Sequence, residues 1–292
     1  MHFEAGGSAP ETGRDNGGPL YLLYRDREIC LNAEELPFLS RQEKERILPG
    51  SGEEGEELYL GRLDGRPCWA REVPAEEPGD AGAAAPAGGI LPEEPAWRPI
   101  RPLLHLLPAD PVRAVARGRH LLSWREVNRF CGRCGGPLVL HPRDMALSCG
   151  ACGRVHYPRI SPAVITAVIR EDRILLAHNR NFPGNMYSLI AGFVDPGETL
   201  EETVVREIRE EVGLEVTDVR YRTSQPWPFP DSLMCAFTAC WTGGEIVPDG
   251  HEIDDARWFS RDDLPEIPAR GSVSRELIDI YLEGRITTCQ NG

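Results

Sequence analysis

Hydrophobic and polar positions follow two rhythms along the 292 residues. From residue 19 to about 72 the pattern is strand-like. In LYLGRLDGRPCWAREV, Asp64-Gly65 separates two alternating segments and predicts a hairpin. Residues 111–129 switch to a helical spacing, with Val112, Val115, Leu122 and Val127 among the apolar positions. From 160 the texture changes again. AVITAVIR, RILLAHN and SLIAGF read as short strands, and an acid-rich helix follows over 199–212. Further strands are predicted around 215–223, 233–241 and 256–259, and a terminal helix over 273–283. Strands flanking a helix, with a second helix at the end, predict an α/β layered domain. No internal repeat is visible. Residues 1–18 read as a disordered tail. Residues 73–99, rich in Pro, Ala, Gly and Glu, read as a flexible insertion that buries too little surface to order itself. SQPWPFPDS, residues 224–232, has three prolines in five residues; it cannot be helix and makes a poor central strand, so a rigid aromatic loop is expected there.

The net charge of −14 excludes a general polyanion binder. Locally, residues 111–160 carry nine arginines against Glu126 and Asp144. Charge pattern alone leaves two readings open: scatter in a small module, or a basic wall near an anionic substrate. Lys44 is the single lysine beside 31 arginines, so there is no P-loop lysine and no Schiff-base candidate near the motifs. No GxGxxG follows a predicted strand, so the Rossmann fingerprint is missing. The polar N-terminus lacks the apolar core of a signal peptide, and AVITAVI is too short to span a bilayer. A soluble cytoplasmic protein with no membrane partner is expected.

Four of the nine cysteines form two CxxC pairs, Cys131/Cys134 and Cys149/Cys152, fourteen residues apart. Two thiolates at i and i+3 grip one metal from a tight turn, and Gly135 and Gly153 supply the backbone twist. Two such turns complete a closed S₄ shell, the pattern of one structural Zn²⁺ per chain without a catalytic role. Cys30, Cys68, Cys235, Cys240 and Cys289 are scattered and read as buried or inert thiols.

The sharpest signal is GFVDPGETLEETVVREIREEVGL, residues 192–214. Asp195-Pro-Gly-Glu reads as a turn. Thr199 with Glu202 three residues on is a capping box, and Gly213 permits the left-handed end of a helix. Glu207, Glu210 and Glu211 then share one face of one turn, where like charges repel. A divalent cation such as Mg²⁺ or Mn²⁺ rewards that arrangement because it takes oxygen ligands. Arg206 and Glu198 can pair and brace the helix against its loop. The run fits G-x5-E-x7-R-E-U-x-E-E-x-G-U at every specified position, through Gly192, Glu198, Arg206, Glu207, Ile208, Glu210, Glu211, Gly213 and Leu214. It is identified as a Nudix box. The resemblance implies an α+β, α-β-α sandwich with a mixed sheet, and metal-dependent cleavage of a nucleoside diphosphate linked to another group.

A four-cysteine ribbon, then this box, then SQPWPFPDS resembles the NADH pyrophosphatase family of Nudix hydrolases. That implies a small strand-rich N-terminal domain over 19–110, a helix and zinc ribbon over 111–159, and a Nudix domain over 160–287. It implies hydrolysis of NADH or NAD⁺ between the phosphates to NMN(H) and AMP, with Glu211 or a neighbouring acid as proton acceptor. Removal of NAD caps from RNA 5′ ends, a broader ADP-ribose-type hydrolase, and a non-catalytic nucleotide sensor are the alternatives. By the same resemblance, Ala191, Glu207, Glu211 and Glu252 hold the Mg²⁺ or Mn²⁺, with Glu210, Arg206 and Glu198 beside them. The substrate meets Gln225, Pro226, Trp227, Pro228, Phe229, Pro230, Asp231 and Ser232. Phe193 and Tyr157 sandwich the nicotinamide, Tyr157 from across a homodimer interface, and Arg101 and Ser274 are further substrate contacts. Two positions depart from the family pattern: Asp144 stands for a glutamate, and Ser274 for an alanine.

Overall fold

The first unit, Met1–Arg159, and the second, Ile160–Gly292, are each built on a six-stranded mixed sheet. The computed structural model describes residues 1–7, 17–49, 57–74, 96–182 and 184–286.

In the first unit the sheet runs β1-β4-β5-β2-β3-β6, formed by Phe3–Ala5, Leu58–Leu63, Arg66–Glu72, Leu20–Arg25, Glu28–Leu31 and Ala96–Pro99. Only β2 and β5 pair in parallel; the other neighbours are antiparallel. The β4–β5 hairpin turns at Asp64 (φ 50°) and Gly65 (φ 76°), the left-handed pair that Asp-Gly favours. Helix α1, Arg41–Ile47, opens with a capping box between Ser40 and Glu43. After the short α2, Ile100–Leu103, helix α3, Ala109–Val127, packs on β4 and β5. Its buried face is Pro111, Ala114, Val115, Gly118, Leu121 and Leu122. Val112 is only half-buried and Val127 is 80% exposed, because both fall off that stripe. Gly118 lets the helix close onto Tyr24: a Cβ there would sit 2.3 Å from the Tyr24 hydroxyl, which itself donates to the Val115 carbonyl at 2.8 Å.

Two expectations are corrected here. The tail expected over 1–18 begins with strand β1, held because Phe3 is 2% exposed and Phe3–Ala5 pair with Leu63–Gly61. The insertion expected over 73–99 is ordered at both margins. Val73 donates to the Tyr24 carbonyl at 2.7 Å, and β6 pairs with β3. Residues 75–95 lie outside the described residues. The ribbon that closes the unit has three short antiparallel strands: β7, Leu138–Leu140; β8, Leu147–Cys149; and β9, Val155–His156.

In the second unit the order is β13-β14-β10-β11-β15, from Glu215–Trp227, Ser232–Gly243, Ser161–Arg170, Arg173–Asn179 and Ile253–Phe259, with β12, Ile190–Phe193, pairing onto β10. β10 and β14 are parallel. The run of β10, apolar from Ala163 to Ile169 except at the buried Thr166, follows from cover on both faces. Val164 and Val168 face Val204, Ile208 and Val212 of helix α4, Leu200–Val212. Ile165 and Ile169 face Val273, Leu277 and Tyr281 of helix α5, Val273–Leu282. The result is the expected α-β-α sandwich, in which each buried aliphatic side chain is worth about 2 kcal/mol. Cys30, Cys68 and Cys235 are buried free thiols, but Cys240 is disulfide-bonded, so the expectation of inert thiols fails at that position. Among the described residues no helix is long and apolar enough to cross a membrane.

Candidate active site

Helix α4 is assembled by local chemistry. Thr199 Oγ1 accepts from the Glu202 N–H at 3.2 Å, and Glu202 Oε2 accepts from the Thr199 N–H at 2.8 Å. Gly213 ends the helix at φ 71°, its N–H donating to the Arg209 carbonyl. Arg206 is the hub of the acidic face. It donates through Nε to Glu198 Oε1 at 2.6 Å and through Nη2 to Glu198 Oε2 at 2.9 Å, a two-point clasp. It also reaches Glu207 at 2.9 Å, Glu210 at 3.1 Å and the Phe193 carbonyl at 2.9 Å, tying helix to β12. The guanidinium holds Glu198 down at about 2, helped by the Asp195 N–H and the Thr203 hydroxyl. Gly192 is needed for space: a Cβ there would lie 1.9 Å from the Glu207 carboxyl carbon.

The remaining acids meet at the end of α4. The β14–β15 loop is strapped to the helix by Val247 N–H to the Val212 carbonyl and Asp249 N–H to the Glu211 carbonyl, both 3.0 Å. Asp249 Oδ1 then accepts from the N–H groups of His251 and Glu252 at 3.1 Å and Ile253 at 2.9 Å. This turn presents Glu252 to the helix. Burial raises the Glu207 pKa against the pull of Arg206, with Glu210 and Glu252 adding to the rise. Glu211 is 7% exposed and is pushed up to about 8, first by burial and then by Glu207, Glu252, Asp249 and Glu210. Among the described residues no arginine or lysine pairs with Glu211. A pocket of buried carboxylates that lacks a compensating cation fits a hard divalent ion, which offers the missing charge to oxygen donors. Ala191, on β12 opposite Ile165, adjoins Gly192 in the same wall. Asp249 escaped the sequence reading; the Asp-Gly turn pair just before Glu252 was the available signal.

The aromatic segment differs from the expected loop. Ser224–Trp227 belong to β13, with Gln225 opposite Met234 and Trp227 opposite Ser232, so the turn narrows to residues 228–231. β13 lies at the sheet edge, where the missing Pro226 N–H costs no ladder bond. Trp227 and Phe229 are half-buried and pack edge to face, 5.3 Å between ring centres at 71°. Pro228 and Ser232 are buried, while Pro226 and Pro230 are exposed. Asp231 accepts through its carbonyl from the Ser161 N–H at 2.9 Å. Gln225 spends part of its amide inside the protein, donating to the Gly271 carbonyl at 2.8 Å and accepting from the Val273 N–H at 2.9 Å. Phe193 is 55% exposed at the end of β12. Ser274 is buried and shares a 2.8 Å hydrogen bond with Ser188, so it does not offer its hydroxyl to solvent. In the first unit, Tyr157 is 64% exposed and Arg101 is exposed on α2.

The four ribbon cysteines converge. Their sulfurs all lie within 4.8 Å of one another, with Cys131–Cys152 at 3.7 Å and Cys134–Cys149 at 3.5 Å. Disulfides need sulfurs about 2.05 Å apart, whereas four sulfurs about 2.3 Å from one zinc stand about 3.8 Å apart. Gly135 (φ 73°) and Gly153 (φ 71°) complete the two turns, donating to the Cys131 and Cys149 carbonyls at 2.8 and 2.9 Å.

Comparison with known proteins agrees with both sites. Residues 159–279 match the NUDIX domain, 17–124 the NADH pyrophosphatase-like rudimentary NUDIX domain, and 128–157 the NADH pyrophosphatase zinc ribbon domain. The chain is 42% identical over 241 residues to the NAD-capped RNA hydrolase NudC of Stutzerimonas stutzeri, covering 82% of this chain and 80% of that protein. The protein of the same name from Pseudomonas fluorescens is 38% identical over 274 residues, 92% of this chain and 89% of the relative. That of Chromobacterium violaceum is 43% identical over 220 residues, 75% and 78% of the two chains. The cysteine cluster is therefore the structural zinc site of a ribbon, and the acidic helix lies in a Nudix domain, a family that implies a divalent metal.

Proposed function

Since the chain belongs to the Nudix hydrolases, in the group that joins an NADH pyrophosphatase-like domain to a zinc ribbon, we propose that it cleaves the pyrophosphate of NADH and NAD⁺ to NMN(H) and AMP. The observation that carries this reading is the buried Glu211 among Glu207, Glu210, Glu252 and Asp249. Glu207, Glu211, Glu252 and the Ala191 carbonyl would hold Mg²⁺ or Mn²⁺, which would supply charge neutralisation at the phosphates and a more acidic water. Arg206 and Glu198 hold the helix against β12 and so fix where Glu207 stands. Glu211 or a neighbouring acid accepts the proton of the attacking water. Trp227 and Phe229 form the wall that meets the dinucleotide, and the exposed Phe193 ring is suited to stack on nicotinamide, with Tyr157 supplied by the second copy of a homodimer.

The same reaction on an NAD-capped RNA is the second reading, favoured by the relatives' activity and by the ribbon's surface. Arg117 and Arg119 are internal braces, bonding the Leu60 and Gly6 carbonyls and Glu72. Arg129, Arg133, Arg143, Arg154 and Arg159 are exposed, a basic face that can receive an RNA chain. We place the enzyme in the cytoplasm as a homodimer; the exposed Phe130, Tyr157 and Ile160 supply apolar surface for the second copy. The test is a panel of NADH, NAD⁺, ADP-ribose and NAD-capped RNA with Mn²⁺ and product identification. The reading requires NMN(H) and AMP from the free dinucleotides. A salt-dependent rate confined to the capped RNA supports the second reading, and cleavage of ADP-ribose alone refutes both.

A further inference from the structure

The carboxamide of Gln225 spans two places in the fold that the sequence keeps 46 residues apart. On one side it sits at the end of edge strand β13, two residues before Trp227 and four before Phe229. On the other it pairs with main chain at the start of α5, giving a hydrogen to the Gly271 carbonyl at 2.8 Å and taking one from the Val273 N–H at 2.9 Å. Val273 is the first residue of that helix, so its N–H is one of the donors that no helical carbonyl satisfies. The anchor is rigid. Val273 is 3% exposed in the core beneath α5, Ser274 is buried and bonded to Ser188, and Ser272 caps the helix by accepting from the Arg275 N–H at 3.2 Å. The far end of the aromatic turn is fixed as well, by the Ser161–Asp231 main-chain bond and the buried Ser232. The turn is thus pinned at both ends, and the Gln225 pin is a side chain.

We infer that Gln225 is a positioning residue: its amide clamps the aromatic turn to the start of α5 and thereby sets where Trp227 and Phe229 meet the substrate. The inference rests on the dinucleotide reading above for its kinetic consequence, and on hydrogen bonds within the free protein for its structural one. A loop held in its bound shape loses less conformational freedom on binding, so the clamp acts on ground-state affinity more than on the chemical step.

The experiment compares wild type, Gln225→Leu and Gln225→Glu. Leucine keeps the bulk and removes both bonds; glutamate keeps the acceptor for Val273 and loses the donor to Gly271. With NADH and Mn²⁺, Gln225→Leu raises KM about tenfold and leaves kcat within about threefold, with Gln225→Glu between it and wild type. In the substrate-free protein, amide hydrogen exchange at Val273 and across residues 227–232 speeds up about tenfold in Gln225→Leu. A KM rise with unchanged exchange in the free protein means that Gln225 touches substrate directly and overturns the inference. An equal fall in kcat with KM unchanged also overturns it. Should Gln225→Leu fail to fold, the same two readouts on Gln225→Glu decide. Should the wild type not cleave NADH at all, the dinucleotide reading fails by itself, while the exchange rates still judge the clamp.

Discussion

Strand for strand, the path β4-β5-β2-β3-β6 in the first unit repeats β13-β14-β10-β11-β15 in the second. Each has one parallel pair, β2 with β5 and β10 with β14, and antiparallel neighbours elsewhere on that path. Each places a capped helix before the β4 or β13 strand and another after the last strand. The difference lies in what the capped helix carries. α4 has 13 residues, and its third turn bears Glu207, Glu210 and Glu211. α1 stops after seven, and its buried ion is Lys44, paired with Glu57 at 2.6 Å and set 4.4 Å from the centre of the Tyr21 ring. One unit neutralises its buried charge internally, and the other leaves a surplus of acids for a cation. The scaffold is shared, and the chemistry depends on one extra stretch of helix and the loop strapped to it.

The largest effect that can break this comparison is in the acids themselves. Glu207→Gln should lower kcat on NADH by about 10²-fold or more with the melting temperature retained. The counterpart Lys44→Met should leave kcat unchanged and cost about 3 kcal/mol in denaturant unfolding, because Glu57 stays behind unpaired. Equal kinetic losses in the two variants would erase the distinction drawn between the units.

Acidity gives the next effect. The Glu211 pKa, about 8 in the fold, is above its ordinary 4.5. The folded state therefore favours the protonated form: its contribution is complete below about pH 4.5 and fades as pH rises through 8. Metal-free protein should lose stability over that window in urea titrations, by at most about 5 kcal/mol, and Mn²⁺ should restore it with release of about one proton. Glu211→Gln should flatten the profile.

Two glycines sharpen the comparison further. Gly192→Ala, whose Cβ would run into the Glu207 carboxyl, should cut kcat about tenfold with little change in stability. Gly118→Ala, whose Cβ would strike Tyr24, should cost about 2 kcal/mol of stability with kcat kept. The smallest effect is common to both units. Thr199→Ala and Ser40→Ala each remove a capping box and should each cost about 1 kcal/mol by urea unfolding.

What was legible in the sequence was local. The cap at Thr199, the stop at Gly213 and the spacing of Glu207, Glu210 and Glu211 are set within one helix, and the CxxC turns within a few residues. What was not legible depends on partners far along the chain. Ser224–Trp227 became strand because β14 lies alongside; Phe3–Ala5 and Ala96–Pro99 became strands because β4 and β3 do. The repeated topology is not visible as an internal repeat of residues, since a strand path constrains burial and not identity. For Gln225 the sequence showed an amide beside the aromatic segment and not its bonds to Gly271 and Val273, which cross 46 and 48 residues.

The most direct test is NADH turnover with Mn²⁺, wild type beside Glu211→Gln, with both products identified. Equal yields of NMNH and AMP from the wild type, reduced about 10²-fold or more in a variant that remains folded, is the predicted result. Release of nicotinamide with ADP-ribose, or undiminished turnover by the variant, would contradict the account.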